Sequence, residues 1–151
     1  MIELDDLYRR ILKELLKDSR RSYRELARRL DVAVTTIINR IQRMEESGII
    51  TGYPISVDYE KLGYELTVLT EISVSKGKLL ETEKEIAKMP SVCAVYDVTG
   101  LTDGMVIAKF KNRKELSDFT KGLLSMPFIE RTNTHVVLTT VKEDFRLTEA
   151  L

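Results

Sequence analysis

The spacing of the apolar residues changes about a third of the way along this chain, and the change divides the sequence into two regions. Before Gly48, apolar residues recur three or four positions apart, the period that gives an α-helix one apolar face. Beyond residue 63, segments in which apolar residues alternate are separated by segments of helical period, a pattern that indicates strands interspersed with helices. The sequence therefore predicts two domains, one all-helical and one that mixes helices with strands.

Three short helices are predicted in the N-terminal region. Asp5 favours the start of the first helix, because a carboxylate is stabilised at a helix N-terminus. Ser22 precedes Glu25 by three residues, the spacing of a capping box, and predicts the start of the second helix. Asp31 tolerates the left-handed backbone that a tight turn requires, and Gly48 stands where a glycine commonly ends a helix.

The third predicted helix has two different faces. Its apolar face carries Ile37, Ile41 and Met44, and the opposite face is polar. Two helices joined by a short turn, the second with an exposed polar face, are typical of a helix-turn-helix, whose second helix enters the DNA major groove.

The polar face of the third helix carries side chains suited to DNA. A Thr methyl group can contact a thymine methyl, Asn can pair with adenine, and Arg can pair with guanine. The N-terminal part of the helix approaches the bases, so the candidates for base contacts are Thr35, Thr36, Asn39 and Arg40. Arg43 lies further along the helix and is a candidate for a phosphate contact.

A basic stripe on the second helix is predicted to contact the DNA backbone beside the groove. Arg21, Arg24 and Arg28 are predicted to share one face of that helix. The formal net charge of the whole chain is zero, so any surface that binds a polyanion must be a local patch. The polar residues of the third helix are also explained by an ordinary solvated helix face. From their spacing alone, this interpretation and DNA binding are equally supported.

The C-terminal region predicts a β-α-β-β-α-β order, the ferredoxin-like pattern. Its segments are a strand at 64–74, a helix at 79–89, a strand at 92–98, a turn at 99–104, a strand at 105–110, a helix at 114–125 and a strand at 129–141. The fifth of these is entirely apolar apart from one lysine and is predicted to be buried on both faces. The fold class is therefore α+β, with a helix-turn-helix domain at 1–50, a linker strand at 51–63 and a ferredoxin-like domain at 64–151. Within the linker, Pro54 cannot donate to a strand ladder, which leaves an edge strand or an irregular linker.

Catalytic and metal-binding motifs are missing from the sequence. His135 is the only histidine and has no nearby cysteine or serine pattern, and Cys93 is the only cysteine, so no intrachain disulfide can form. No apolar run is long enough to span a bilayer, and the N-terminus has no secretory signal. We therefore predict a cytoplasmic protein that is not an enzyme, with no cofactor, no metal and no membrane association.

The chain resembles the Lrp/AsnC family of transcription regulators, also called feast/famine regulatory proteins, over nearly its full length. The resemblance is carried in order by the segments LDDLYRRILKELLKDSRRSYRELARRLDVAVTTIINRIQRMEESGIITGY, KLGY, VTGLTDGMVIAKF and ERTNTHVVL. It implies a helix-turn-helix that binds double-stranded DNA and a C-terminal effector-sensing domain, the RAM domain, with the strand order given above. It also implies homodimers formed through the C-terminal sheets that commonly assemble to octamers.

An amino-acid effector is a further implication of the resemblance, bound between dimers near the loop TGLTDG. Carried over by position, the candidate effector residues are Gly100, Thr102, Asp103, Gly104, Thr132 and Thr134. Their chemistry agrees, because a carboxylate can accept from an α-ammonium group, and hydroxyls and loop amides can hold a carboxylate. A structural explanation stays open for each: the glycines serve turn geometry, the carboxylate braces the turn, and the threonines favour strands.

Two positions depart from the family pattern. Ala33 stands where a serine usually caps the third helix, and Gly104 follows Asp103 where a larger residue is more usual. The first leaves open where the helix starts, and the second leaves open which effector binds. The alternative functions are a small-molecule sensor or oligomerisation module whose helices do not bind DNA, and a protein-binding winged-helix adaptor.

Overall fold

A computed structural model describes residues 3–151 of the chain, which divide into two compact units. The first unit comprises the described residues up to Ser56 together with residues 142–151, and the second comprises Val57–Val141. The C-terminal residues 142–151, placed in the second domain by sequence, thus cluster with the helical unit. There, Arg146 donates from Nη1 to the backbone oxygen of Leu16 at 3.4 Å.

Three helices form the first unit, as the sequence predicts: α1 (Asp6–Lys17), α2 (Tyr23–Leu30) and α3 (Val34–Glu46). Their apolar faces meet in one core, which is made by Tyr8, Ile11, Leu15, Leu26, Ala27, Leu30, Ile37, Ile41 and Met44. All three residues that sequence spacing assigned to the inner face of α3 are in this core. The opposite face of α3 is therefore left outward by the packing.

The turns between the helices follow the local signals in the sequence. The Ser22 hydroxyl accepts from the backbone N–H of Glu25 at 3.2 Å, which caps α2. Asp31 ends α2 in the left-handed region with φ 55°, and Gly48 follows α3 with φ 72°. Ala33 occupies the N-cap of α3 without a side-chain cap, so the start of that helix is held by backbone bonds alone.

The second unit contains β1 (Leu66–Val74), α4 (Leu79–Ile86), β2 (Val92–Asp97), β3 (Gly104–Phe110), α5 (Arg113–Leu124) and β4 (Ile129–Val136). The strands form one antiparallel sheet in the order β2-β3-β1-β4. Buried residues of both helices share a core with alternate residues of β1 and β3, so both helices cover the same face of the sheet. This arrangement is the predicted ferredoxin-like fold.

The prediction that β3 is buried on both faces is wrong for the single chain. Val106, Ala108 and Phe110 are buried under the helices, whereas Met105 and Ile107 on the other face are only half-buried. The cause lies outside the strand, because both crossover helices pack on one face and leave the second face uncovered. We call this second face the open sheet face.

Several element boundaries also differ from the prediction. Strand β1 begins at Leu66 because a short 3₁₀ turn at Glu60–Leu62 precedes it, and β4 ends at Val136 rather than at residue 141. Helix α4 ends at Ile86, three residues before the predicted end. Residues 49–57 form no strand within this chain, which favours the linker over the edge strand.

Candidate nucleic-acid interface and effector site

The outward face of α3 brings the predicted DNA-contacting residues together. Thr35, Asn39 and Arg43 are exposed, and Thr36 is half-buried. A shallow notch of about 210 Å³ is lined by Thr36, Asn39, Arg40 and Arg43. The helical spacing of these residues places them in one row along the outward side of α3. The arrangement offers one amide, hydroxyls and a guanidinium on a single exposed surface.

Arg40 lies in this row, but its guanidinium is bound within the protein. Its Nη1 lies 2.5 Å from Oδ2 of Asp5, and its Cζ lies 4.1 Å from the centre of the buried Tyr8 ring. The hydrogen bond from Arg40 holds the pKa of the Asp5 carboxyl below its usual value. Only 25% of the Arg40 side chain is exposed. Sequence reasoning missed this contact because its partners lie on different helices.

The placement of Arg21 on a face of α2 is wrong. Arg21 precedes the cap of α2, and its Nη1 donates to the carboxylate of Glu14 and to the backbone oxygen of the same residue. Only 14% of the Arg21 side chain is exposed. Arg29 also donates to Glu14, with its Nε 2.5 Å from Oε2. Arg24 and Arg28, one helical turn apart on α2, are exposed as predicted.

The loop between β2 and β3 is fastened to the end of β1. The Thr102 hydroxyl donates to the backbone oxygen of Ile72 at 2.7 Å, and the Asp103 N–H donates to the same oxygen at 3.0 Å. The Asp103 carboxylate accepts the N–H of Val74 on Oδ2 at 2.8 Å. Asp103 therefore braces the turn in this structure, which is the structural explanation that its sequence position left open.

The remaining effector candidates lie around the same point of β1. Gly104 and Thr132 both pair with Ile72, on opposite sides of the strand. Thr134 lies two residues further along β4, where its hydroxyl is 3.0 Å from that of Thr70. Gly100 is exposed at the tip of the loop with φ 130°, a backbone conformation that favours glycine. The structure thus places Thr102, Asp103, Gly104 and Thr132 around Ile72, with Gly100 in the same loop and Thr134 nearer the middle of the sheet.

A buried carboxyl next to this loop was not found from the sequence. Glu83 of α4 is buried, and its Oε1 has no hydrogen-bond partner among the described residues. Burial, and secondly the charge of Asp97, raise the pKa of Glu83 above its usual value. It lies on a helix with two further glutamates, Glu81 and Glu85, and one lysine, Lys84, and no local pattern separates it from those solvated side chains.

Other chemistry finds little support in the part of the chain that the structure describes. His135 lies on the open sheet face, with Nε2 3.2 Å from Oε1 of Glu71 and 3.1 Å from Nδ2 of Asn133. Across residues 3–151, no group of three or more His, Cys, Asp or Glu side chains could hold a metal ion. Among these residues, no helix is both long and apolar enough to cross a bilayer.

Two family models cover the two units. Residues 4–51 match a winged helix-turn-helix DNA-binding domain, and residues 67–147 match the Lrp/AsnC ligand binding domain. The fold and these matches define a transcription regulator that joins a DNA-binding domain to a ligand-binding domain. The chain belongs to the Lrp/AsnC family, whose members are transcription regulators and not enzymes.

Relatives and solved structures agree over nearly the whole length. The chain is 54% identical to an uncharacterised HTH-type transcriptional regulator of Pyrococcus abyssi, over 95% of this chain and 98% of that protein. It is 35% identical to the HTH-type transcriptional regulator FL11 of Pyrococcus horikoshii, over 97% of both. Its structure resembles Escherichia coli AsnC with a TM-score of 0.88, at 26% identity over 95% of this chain and 97% of that one. It also resembles a Neisseria meningitidis transcriptional regulator in complex with L-Met, with a TM-score of 0.88, at 25% identity over 99% of this chain and 100% of that one.

Proposed function

We propose that the outward face of α3 reads base edges in the major groove of double-stranded DNA. Thr35, Thr36 and Asn39 contact bases, and Arg43, one turn beyond Asn39, contacts a phosphate. The observation that carries the proposal is the exposed polar row on α3 within a domain that matches a helix-turn-helix family model. Arg40 shares this row but has an internal partner, so we assign it separately below.

The exposed arginines of α2 contact the DNA backbone beside the groove. Arg24 and Arg28 are one helical turn apart, so both can face the phosphates of one strand. Arg21 has no part in this contact, because its guanidinium is committed to Glu14 between the helices. DNA binding also places the protein in the compartment that holds the DNA, which for this family member we take to be the cytoplasm.

The effector is an amino acid bound at the end of the sheet near the loop of residues 99–104. Support comes from the match to a ligand-binding domain and from the L-Met complex of the similar Neisseria protein. One carboxylate oxygen of Asp103 accepts the N–H of Val74, and the other can accept from an α-ammonium group. The hydroxyl of Thr132 and the amides around Gly100 are the candidates for holding the α-carboxylate.

The open sheet face forms the homodimer. Leu69, Met105 and Ile107 project from adjacent strands on this face, and both helices lie on the other side. Burying such a row against a second copy removes apolar surface from water. Dimers then assemble to an octamer, in which the effector site lies between dimers.

Effector binding changes transcription by a population shift between assemblies. A ligand that binds one assembly more tightly than another favours it, and so changes the spacing of the α3 helices on DNA. A two-fold dimer predicts a nearly palindromic site with half-sites about one helical turn apart.

The test is the recovery of bound genomic DNA by the full chain, with and without added amino acids. We expect a defined set of sites that share a symmetric motif, and occupancy that one or a few amino acids alter. Recovery of DNA without any shared motif would contradict the DNA-reading role. An unchanged set of sites with every amino acid, together with no heat in calorimetric titrations, would contradict the sensing role alone.

A further inference from the structure

Asp5 has two roles that join the first helix to the third. Its Oδ1 accepts the backbone N–H of Tyr8 at 3.1 Å, which caps the N-terminus of α1. Its Oδ2 binds the guanidinium of Arg40 on α3 at 2.5 Å. One carboxylate thus fixes the start of α1 and the side chain of a residue in the outward row of α3.

The guanidinium of Arg40 is held from two directions. Below it lies the ring of Tyr8, which is only 3% exposed and belongs to the helical core. Arg40 Cζ lies 4.1 Å from the ring centre, a distance at which a cation is attracted to the ring face. The carboxylate of Asp5 neutralises the charge from the side. The charge of Arg40 is thus paired within the protein, and its Nη1 donates to Asp5 rather than to an outside partner.

We propose that Asp5 withholds Arg40 from DNA, so that Arg40 is a positioning residue for α3 and Asp5 sets how strongly the protein binds DNA of any sequence. The inference rests on the proposed role of α3 in reading DNA. Lowering sequence-independent affinity raises the ratio of specific to non-specific binding, because the phosphate contacts supply most of the non-specific affinity.

The test uses Asp5→Asn, Arg40→Gln and the double variant in the full chain. Asparagine keeps the side-chain oxygen that caps α1 and removes the negative charge, so the helix is retained while Arg40 is released. The measurement is the affinity for a duplex of random sequence as a function of salt concentration. Asp6→Asn is the matched control, because it removes an equal charge at the next position, whose carboxylate faces Arg10 at 3.8 Å.

Released Arg40 adds a phosphate contact. For Asp5→Asn we expect the plot of log affinity against log salt concentration to steepen by about one unit for each α3 helix bound to DNA. For each helix, this means that raising the salt from 50 to 200 mM lowers the affinity about three- to fourfold more than in the wild type. Arg40→Gln alone should keep the wild-type slope, and the double variant should match Arg40→Gln. Arg43→Gln, the positive control for a phosphate contact, should flatten the slope by about one.

Three results would overturn the inference. The first is an unchanged slope in Asp5→Asn. The second is a steeper salt slope in Asp5→Asn that persists when Arg40 is replaced by glutamine, or that Asp6→Asn reproduces. Either result would mean that the effect comes from removing a negative charge that repels DNA and not from releasing Arg40. The third is a flatter slope in Arg40→Gln, which would mean that Arg40 already contacts DNA. If the wild-type protein binds no DNA under these conditions, the proposed function fails together with the inference.

Discussion

The carboxyl of Glu83 on α4 packs against the backbone of Gly104 on β3 and leaves little room for a side chain there. A Cβ atom added at Gly104 would lie 3.2 Å from Oε1 of Glu83 and 3.0 Å from Cγ1 of Ile72. A buried carboxyl and a buried isoleucine thus border Gly104 next to the loop that holds the effector candidates.

The buried carboxyl predicts a pH-dependent stability. Burial raises the pKa of Glu83 above its usual value of 4.5. The folded state thus holds the proton more tightly than the unfolded state. The resulting stabilisation is complete below about pH 4.5 and is lost as the pH rises through the pKa in the folded protein. For Glu83→Gln, which stays neutral, we expect the same melting temperature as wild type near pH 4 and a higher one at pH 7.

The control for this prediction is Glu85→Gln on the same helix. Glu85 is exposed and pairs with Lys88 at the surface, an interaction that contributes little to stability. Its pH profile should follow that of the wild type. Parallel profiles for Glu83→Gln and the wild type across this pH range would contradict a raised pKa of Glu83 in the folded protein.

The close approach at Gly104 predicts that even the smallest side chain is harmful there. For Gly104→Ala we expect a loss of about 1–3 kcal/mol in the free energy of unfolding, because the added methyl group would force the buried Ile72 and Glu83 side chains to shift within a packed core. Gly122→Ala is the matched control. Gly122 lies in α5 with open space around its Cα, and alanine should stabilise the helix by roughly 0.5–1 kcal/mol. Equal effects of the two substitutions in chemical denaturation would contradict the steric argument.

Substitution of Arg21 should reduce stability, whereas substitution of Arg24 should reduce DNA binding. Arg21→Met removes one of the two arginines that bind the Glu14 carboxylate, which is only 14% exposed, and we expect it to cost about 1–3 kcal/mol in the free energy of unfolding. Arg24 is exposed, so Arg24→Met should change stability by less than about 0.5 kcal/mol and weaken binding to DNA of any sequence. Denaturation and DNA titrations of both variants check this. Loss of DNA affinity in Arg21→Met without loss of stability would contradict the prediction and would indicate that Arg21 contacts DNA.

The local structure of the helical unit followed from the sequence, because its signals lie within a few residues of one another. The cap at Ser22, the left-handed Asp31 and the glycine after α3 each depend on neighbouring positions. The contacts that were missed join different elements. Arg40 on α3 meets Asp5 across 35 residues, and Arg21 reaches Glu14 on α1 from the loop between α1 and α2, so helical periodicity alone cannot reveal them.

In the sheet, too, local sequence patterns could not predict features that depend on contacts between different elements. The order of its elements followed from alternating and helical periods, but the burial of β3 depends on which face the two crossover helices cover. Met105 and Ile107 are as apolar as the residues on the covered face, so the strand sequence does not distinguish the two faces. Similarly, Glu83 differs from the other glutamates of α4 only in what packs against it.

The most direct test of the central claim is a binding-site selection with wild type and Asn39→Ala. Asn39 is exposed in the outward row of α3, where its amide can pair with adenine. We predict that the wild type selects a symmetric motif and that Asn39→Ala loses the preference at one base position in each half-site, with the other positions retained. Selection of an identical motif by both proteins, or of no motif by the wild type, would contradict the claim that this face of α3 reads DNA.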